Sequence, residues 1–230
     1  MLVKYWMHPK VETIDADDSM ENVIKLMKRN EGRLLPVTRQ GRLVGVVTDR
    51  DLKRASASEA TSLDVHELLY LLTKIKVASI MSTPAVSVPP DFTVEETAAL
   101  MLRHRISGVP VVAEGRIVGA ITQAEVNRLL VSLTGLGDQG LQLAFLAPDQ
   151  PGSIKWLADE IRAYGGRLLS VLSSYDRVPK GFRKIYIRAY NLERDRLPEL
   201  LAELGTRAKL LYLVDHKHNR REIFDEGNPP

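Results

Sequence analysis

The sequence predicts a chain of two architectures in series. The first is α/β, two β-α-β-β-α repeats packed as a pseudo-twofold pair. The second is a smaller α+β sandwich of β-α-β-β-α-β order. Three observations predict this. A stretch running from Met7 to Thr48 matches Met81 to Thr122 at a constant offset of 74 residues with no gap. Both copies close on the same pattern of Gly, two apolar residues, Thr, two variable residues and an acid: GVVTDRD at Gly45–Asp51 and GAITQAE at Gly119–Glu125. From Leu141 onward the periodicity changes, and strand-like and helix-like runs alternate in a new order.

The copies align in detail. Asp17 meets Asp91, Glu21 meets Glu95, and Leu26-Met27 meets Leu100-Met101. Pro36-Val37 meets Pro110-Val111, and Val44-Gly45 meets Val118-Gly119. Each copy opens with an extended piece (Val11 to Ile14; Ala85 to Val88) that leads into a helix start. Thr93 and Glu96 form a capping box, while Ser19 is the matching N-cap with a weaker partner in Asn22. Met20, Val23, Ile24 and Met27 repeat at helical spacing, as do Val94, Ala98 and Met101. Two short β-rich runs then flank a turn at Gln40-Gly41 or Glu114-Gly115. A second helix starts after Thr48 or Thr122. One copy has too few elements to bury both faces of its sheet, so the copies are expected to pack on each other.

Between the copies, Ala55 to Ser62 reads as a small polar loop, and Val65, Leu68, Leu69 and Leu72 mark a helix. In the last part, LQLAFLA is a strand and Pro148 to Gly152 a turn. SIKWLADEIRAYGG is a helix capped by Ser153 and ended by Gly165-Gly166. Two strands, a short helix closed by Gly205 and a final strand complete the sandwich. The expected divisions are 1–58 and 76–133 for the repeats, 59–75 for a linker helix, 141–218 for the sandwich and 219–230 for a frayed polar tail.

Composition limits the function. The 230 residues are 44% hydrophobic and 27% charged, as in an ordinary globular protein. The formal net charge is only +3, with no block of like charge, which argues against nucleic acid as a partner. There is no cysteine, so disulfides, thiolate metal sites and cysteine nucleophiles are excluded. No apolar run reaches the roughly 20 residues of a membrane span, and the N-terminus lacks a signal-peptide core. The reading is a cytoplasmic chain without a membrane partner. No nucleophile, base and orienting group stand in a recognisable set, so a non-enzyme is expected. The histidines show no metal-ligand pattern, and no metal or cofactor is expected.

An apolar-Pro-Val strand with a Gly-h-h-Thr-x-x-Asp ending, repeated with Glu125 in place of the Asp, resembles a tandem pair of CBS domains over roughly residues 1 to 133. The last part resembles an ACT domain of ferredoxin-like fold, through Asp149-Gln150-Pro151-Gly152 and Gly165. The order of the three is similar to the acetoin-utilisation accessory protein family. That resemblance implies a regulatory module. Its ligand is an adenosine-containing nucleotide (AMP, ADP or ATP, with NAD or S-adenosylmethionine less favoured) held between the repeats. It also implies a homodimer, a regulated protein partner and a second small effector at Asp149 and Gly152.

Two readings of Thr48 and Asp51 stand side by side. In one, Thr-x-x-Asp is a capping box and nothing more. In the other, a short carboxylate at a helix N-terminus accepts the hydroxyls of a ribose, beside N–H groups suited to phosphate. On the resemblance, Thr48, Arg50 and Asp51 face Val86 and Ile106, Ser107, Gly108 and Val109, which clamp a flat purine. The opposite cleft sets Thr122 and Glu125 against Val11, Arg33 and Leu34. Glu reaches further than Asp, and Arg33 fills the slot held by Ser107 in the first cleft. The second cleft is therefore expected to be weaker or changed. A scaffold with both sites degenerate, and an enzyme of acetoin metabolism, are the rival readings.

Overall fold

The computed structural model describes residues 1–30, 34–59, 70, 72–136 and 140–224. The chain divides into two compact units, Met1–Asn127 and Arg128–Pro230.

In the first unit, the first copy comprises β1 (His8–Pro9), β2 (Ile14–Asp15), α1 (Met20–Asn30), β3 (Leu34–Arg39), β4 (Arg42–Thr48) and α2 (Asp49–Glu59). The second comprises the short α3 (Val77–Ile80), then α4 (Val94–His104), β5 (Gly108–Ala113), β6 (Arg116–Thr122) and the start of α5 (Gln123–Thr134), within which the division between the units falls. The predicted hairpins form, with left-handed backbone at Gln40-Gly41 and Glu114-Gly115. Each carries an irregularity at the same place, between Val37 and Thr38 and between Val111 and Val112. Core positions coincide across the offset. Ile14 and Val88, Met20 and Val94, Met27 and Met101, Leu35 and Val109, Val37 and Val111, and Val47 and Ile121 are all buried. The capping box at Thr93 and Glu96 is complete. Ser19 Oγ accepts from the Asn22 N–H at 3.3 Å, but the Asn22 side chain turns back to Asp18.

The copies are joined in a way that the repeat alone does not disclose: each leads with a segment that belongs to the other. Val3 N donates to Phe92 O at 2.8 Å, and its counterpart Val77 N donates to Asp18 O at 2.9 Å. β1 pairs with β6, His8 opposite Ala120. By the same symmetry, Ser82 bridges to Val46 on β4, with bonds of 3.0 and 2.8 Å in the two directions. The motif glycines allow this approach. A Cβ on Gly119 would lie 2.5 Å from His8 O, and one on Gly45 would lie 2.6 Å from Met81 Sδ and 3.0 Å from Ser82 O.

Between the copies, the expected loop is corrected in part. α2 runs to Glu59, so the first part of the Ala55–Ser62 stretch is helical. Alternating Ala and Ser do not break a helix, Ala being its best former. Of the linker helix, 60–69 and 71 lie outside the described residues, while Tyr70 and 72–74 are helical.

The second unit contains β7 (Leu141–Pro148), α6 (Ser153–Ala163), β8 (Arg167–Ser174), β9 (Phe182–Tyr190), α7 (Leu197–Gly205), β10 (Lys209–Asp215) and β11 (Arg220–Ile223). The sheet is antiparallel in the order β11-β10-β7-β9-β8. Leu141, Leu143, Phe145, Ile185 and Ile187 face α6 and α7, which bring Leu157, Ile161, Leu200 and Leu204 to the same core. Two expectations fail here. Ser153 is the first residue of α6 and not its cap: Gly152 holds the cap position at φ 91°, and Ser153 Oγ donates to Pro148 O and Gln150 O. The polar tail does not begin at Asn219. Asn219 turns the chain at φ 50°, and β11 adds to the sheet edge. An edge strand can be polar on both faces, which is why Arg220 and Glu222 conceal it.

Asp215 fastens that turn. It is 4% exposed and accepts from Arg194 Nε at 2.8 Å and from the Lys217 N–H at 3.0 Å, with His218 Nδ1 also at 3.0 Å. Burial opposes its ionisation, but the bonds from His218 and Arg194 prevail and hold its pKa at about 2.

Two outcomes are expected. Gly119→Ala should destabilise the first unit by about 1–3 kcal/mol, because the new Cβ meets a backbone carbonyl. Gly45→Ala should cost less, since its nearest contact is a flexible Met side chain; chemical denaturation of both variants checks the ranking. For Asp215, a depressed carboxylate pKa means stabilisation that is complete above about pH 4 and lost as pH falls towards 2. Asp215→Asn should therefore cost on the order of 2 kcal/mol at pH 7. Urea unfolding at pH 7 and at pH 2.5 should show the gap between variant and parent narrowing to about a third at the lower pH.

Candidate functional site

The ends of β4 and β6 deliver Thr48 and Thr122 to the starts of α2 and α5, and the third helical residue of each carries the acid. Both acids are 4% exposed. Both fold back on their threonine with one oxygen. Asp51 Oδ2 accepts from Thr48 N at 2.9 Å and Thr48 Oγ1 at 2.6 Å. Glu125 Oε2 accepts from Thr122 N at 2.9 Å and Thr122 Oγ1 at 2.5 Å. The capping bonds form in both copies, and the longer Glu curls enough to reproduce those of Asp.

The other oxygen of Asp51 has a different environment. Oδ1 accepts from Arg54 Nη2 at 2.9 Å and from Ser82 Oγ at 3.0 Å. Ser82 arrives on the exchanged segment of the second copy. Both donors are exposed, the Arg54 side chain to 68%. Sequence reasoning misses both, although a signal exists: Arg54 recurs as Arg128 at the same offset. Ser82 does not recur, and His8 stands at the equivalent position.

Arg50 Nη1 donates to Arg105 O at 3.3 Å, so the start of α2 lies against the turn that leads into Ile106, Ser107 and β5. Arg105 adopts the left-handed conformation at φ 54° and ends α4. Beyond it, Ser107 is exposed, Ile106 half-buried, and Gly108 and Val109 buried. Gly108 packs on Thr122, where a Cβ would come within 3.0 Å of Cγ2. Val86 is half-buried, on the stretch that crosses from Ser82 to Val88. The expected members of the first cleft thus belong to three adjoining segments, with Arg50 linking two of them. In the second cleft, Val11 is half-buried, Leu34 is buried and pairs with Thr48, and Arg33 lies outside the described residues.

In the second unit, the structure separates the two residues expected to act together. Gly152 lines a cavity of about 180 Å³ with Pro151, Ser153, Trp156 and Arg207, whose guanidinium sits 5.0 Å from the Trp156 ring centre. The Asp149 side chain points elsewhere, towards Arg183 Nε at 3.5 Å and Tyr175 Oη at 3.3 Å. Among the described residues no cluster of metal-ligating side chains occurs, and no helix is long and apolar enough to cross a membrane.

Two copies of a helix, a two-stranded hairpin and a second helix, with exchanged leading segments and a Thr-acid pair at each second helix, define a paired-repeat module. The chain belongs to the CBS-domain family, whose model matches residues 3–58 and 77–132. A CBS domain-containing protein of Dictyostelium discoideum is 33% identical over 135 residues, covering 58% of this chain and 93% of the relative. A homoserine O-acetyltransferase of Methanococcoides burtonii is 32% identical over 126 residues, 54% of this chain but 23% of the enzyme. The solved structure of a protein named for acetoin utilization (AcuB) from Vibrio cholerae is 26% identical. It covers 60% of this chain and 96% of its own, with a TM-score of 0.50.

Removing the Asp51 carboxylate strands the Thr48 N–H and the Ser82 hydroxyl. Asp51→Ala should destabilise the first unit by about 1–2 kcal/mol, and Glu125→Ala by a similar amount, as for loss of a helix cap. Thermal unfolding of the two single variants measures both.

Proposed function

We propose that the chain is a regulatory ligand sensor whose first unit binds an adenosine-containing nucleotide, AMP, ADP or ATP, at Thr48 and Asp51. The observation that carries this reading is the asymmetry of Asp51. One carboxylate oxygen is committed to Thr48, while the other holds only exposed donors that a ribose diol can replace. Hydrogen bonds from a diol to an ionised carboxylate are charge-assisted and strong. Arg50 and the Ile106–Val109 stretch form the neighbouring wall, Val86 adjoins it, and small, exposed Ser107 leaves room for a purine. The second cleft, with Thr122, Glu125, Val11, Arg33 and Leu34, binds more weakly.

The second unit, read as an ACT-like domain, takes a small effector in the cavity at Gly152 and Trp156. Asp149 stands on the turn that leads to this cavity, its side chain directed to Arg183 and Tyr175. The chain acts as a homodimer on a protein partner, without catalysing a reaction. If the nucleotide and effector sites share a two-state element, each ligand influences the binding of the other reciprocally.

One observation favours a rival, a scaffold that binds no nucleotide: every acceptor position of Asp51 is already used within the chain. Calorimetric titration of AMP, ADP, ATP, NAD and S-adenosylmethionine separates the two. The sensor requires micromolar binding of an adenine nucleotide at one site per chain, abolished by Asp51→Ala and retained by Glu125→Ala. Silence across the whole panel with folded protein leaves the scaffold.

A further inference from the structure

We propose that Arg54 is the residue that makes the Asp51 site select a 5′-phosphorylated adenosine over neutral and cationic adenosine compounds. This selectivity rests on the nucleotide site at Asp51 and adds its ligand charge class. Its basis is the set of hydrogen bonds made by one carboxylate.

Asp51 accepts four hydrogen bonds, two at each oxygen, which is about its capacity. A ribose diol can enter only by displacing donors. The Thr48 N–H is fixed by the end of β4 and the start of α2. Arg54 and Ser82, both exposed and both on Oδ1, are the donors that can leave. The Arg54–Asp51 contact is an i,i+3 pair between a guanidinium that is 68% exposed and a carboxylate that is 5% exposed, so the arginine can swing into water without moving the acid. Arg54 therefore does not bar the site. It holds Oδ1 while the site is empty and gives way when a diol arrives.

The fate of the displaced guanidinium determines the selectivity. The diol is neutral and takes over the partner of a full positive charge. The displaced guanidinium is left without its carboxylate partner. Arg50, four residues before Arg54 on α2, donates to the Arg105 backbone carbonyl, and the side chains of Arg50 and Arg105 are exposed. A phosphate on the same ribose re-pairs the displaced guanidinium, with the bidentate geometry that Arg offers and Lys does not. A nucleoside without phosphate leaves the charge unmatched, and a sulfonium adds another positive charge. Arg54 thus exchanges one anion for another only when the ligand brings phosphate.

The test compares AMP, adenosine and S-adenosylmethionine by calorimetry on the full chain, for the parent, Arg54→Gln and Arg54→Lys. The parent should bind AMP at least tenfold more tightly than adenosine, with S-adenosylmethionine weakest. Arg54→Gln should weaken AMP about tenfold and leave adenosine unchanged or a few-fold tighter, because no ion pair must open. Arg54→Lys should fall between, and the salt dependence of AMP binding should lessen in Arg54→Gln. Equal weakening of AMP and adenosine, or an AMP-to-adenosine ratio unmoved by the substitution, overturns the role of Arg54 while leaving the nucleotide site standing. Failure of the parent to bind either compound overturns the site itself and this inference with it.

Discussion

The first unit depends on the exchange of leading segments between the two copies. Each copy lacks one edge of its own layer and receives it from the other. The bonds fall in matched pairs, Val3 to Phe92 with Val77 to Asp18, and His8 against Ala120 with Ser82 against Val46. Buried backbone groups must find partners, and in these pairs the partner is a residue from the other copy. The motif glycines are a consequence. A side chain at Gly45 or Gly119 would occupy space already held by the incoming strand. The Gly of Gly-h-h-Thr is therefore a packing requirement of the pair, and the Thr and acid after it are placed by it.

Asp51 and Glu125 show how one local device serves two ends. A carboxylate at the third helical position satisfies the threonine amide and hydroxyl, and Glu does this as well as Asp. Capping alone would leave the two copies equivalent. The second oxygen of Asp51 is held by Ser82 from the exchanged segment and by Arg54 from its own helix. In the other copy the residue equivalent to Ser82 is His8, so the environments differ through the incoming strand as well as through the acid. Fold and site are coupled through that strand.

Much of this is legible in the sequence. A gapless offset makes every buried position in one copy a statement about the other, so Met20 pairs with Val94 and Leu35 with Val109 on sequence alone. Period-two runs around Gln40-Gly41 and Glu114-Gly115 locate the hairpins because left-handed turns require those residue types. The hidden features share one cause. Segment exchange, β11 and the Ser82 bond are pairings between distant or polar stretches, and backbone hydrogen bonding leaves no mark on side-chain pattern. Ser153 misleads because a serine before an apolar helical run looks like a cap, whereas Gly152 takes that place with a positive φ. Arg54 escapes notice because its recurrence as Arg128 lies beyond the end of the shared motif.

Covalent linkage of the copies has a consequence for how the two acids diverge. If identical single-repeat chains met about a true twofold axis, any change at the carboxylate would appear in both halves at once. A change useful to one half would be imposed on the other. Joining them in one polypeptide, with the exchanged segments retained, keeps the geometry and removes that obligation. Residue 51 and residue 125 occupy the same place in the architecture yet are inherited separately, and so are Ser82 and His8. The pair can hold one half constant as a structural mate while the other is adjusted to a ligand.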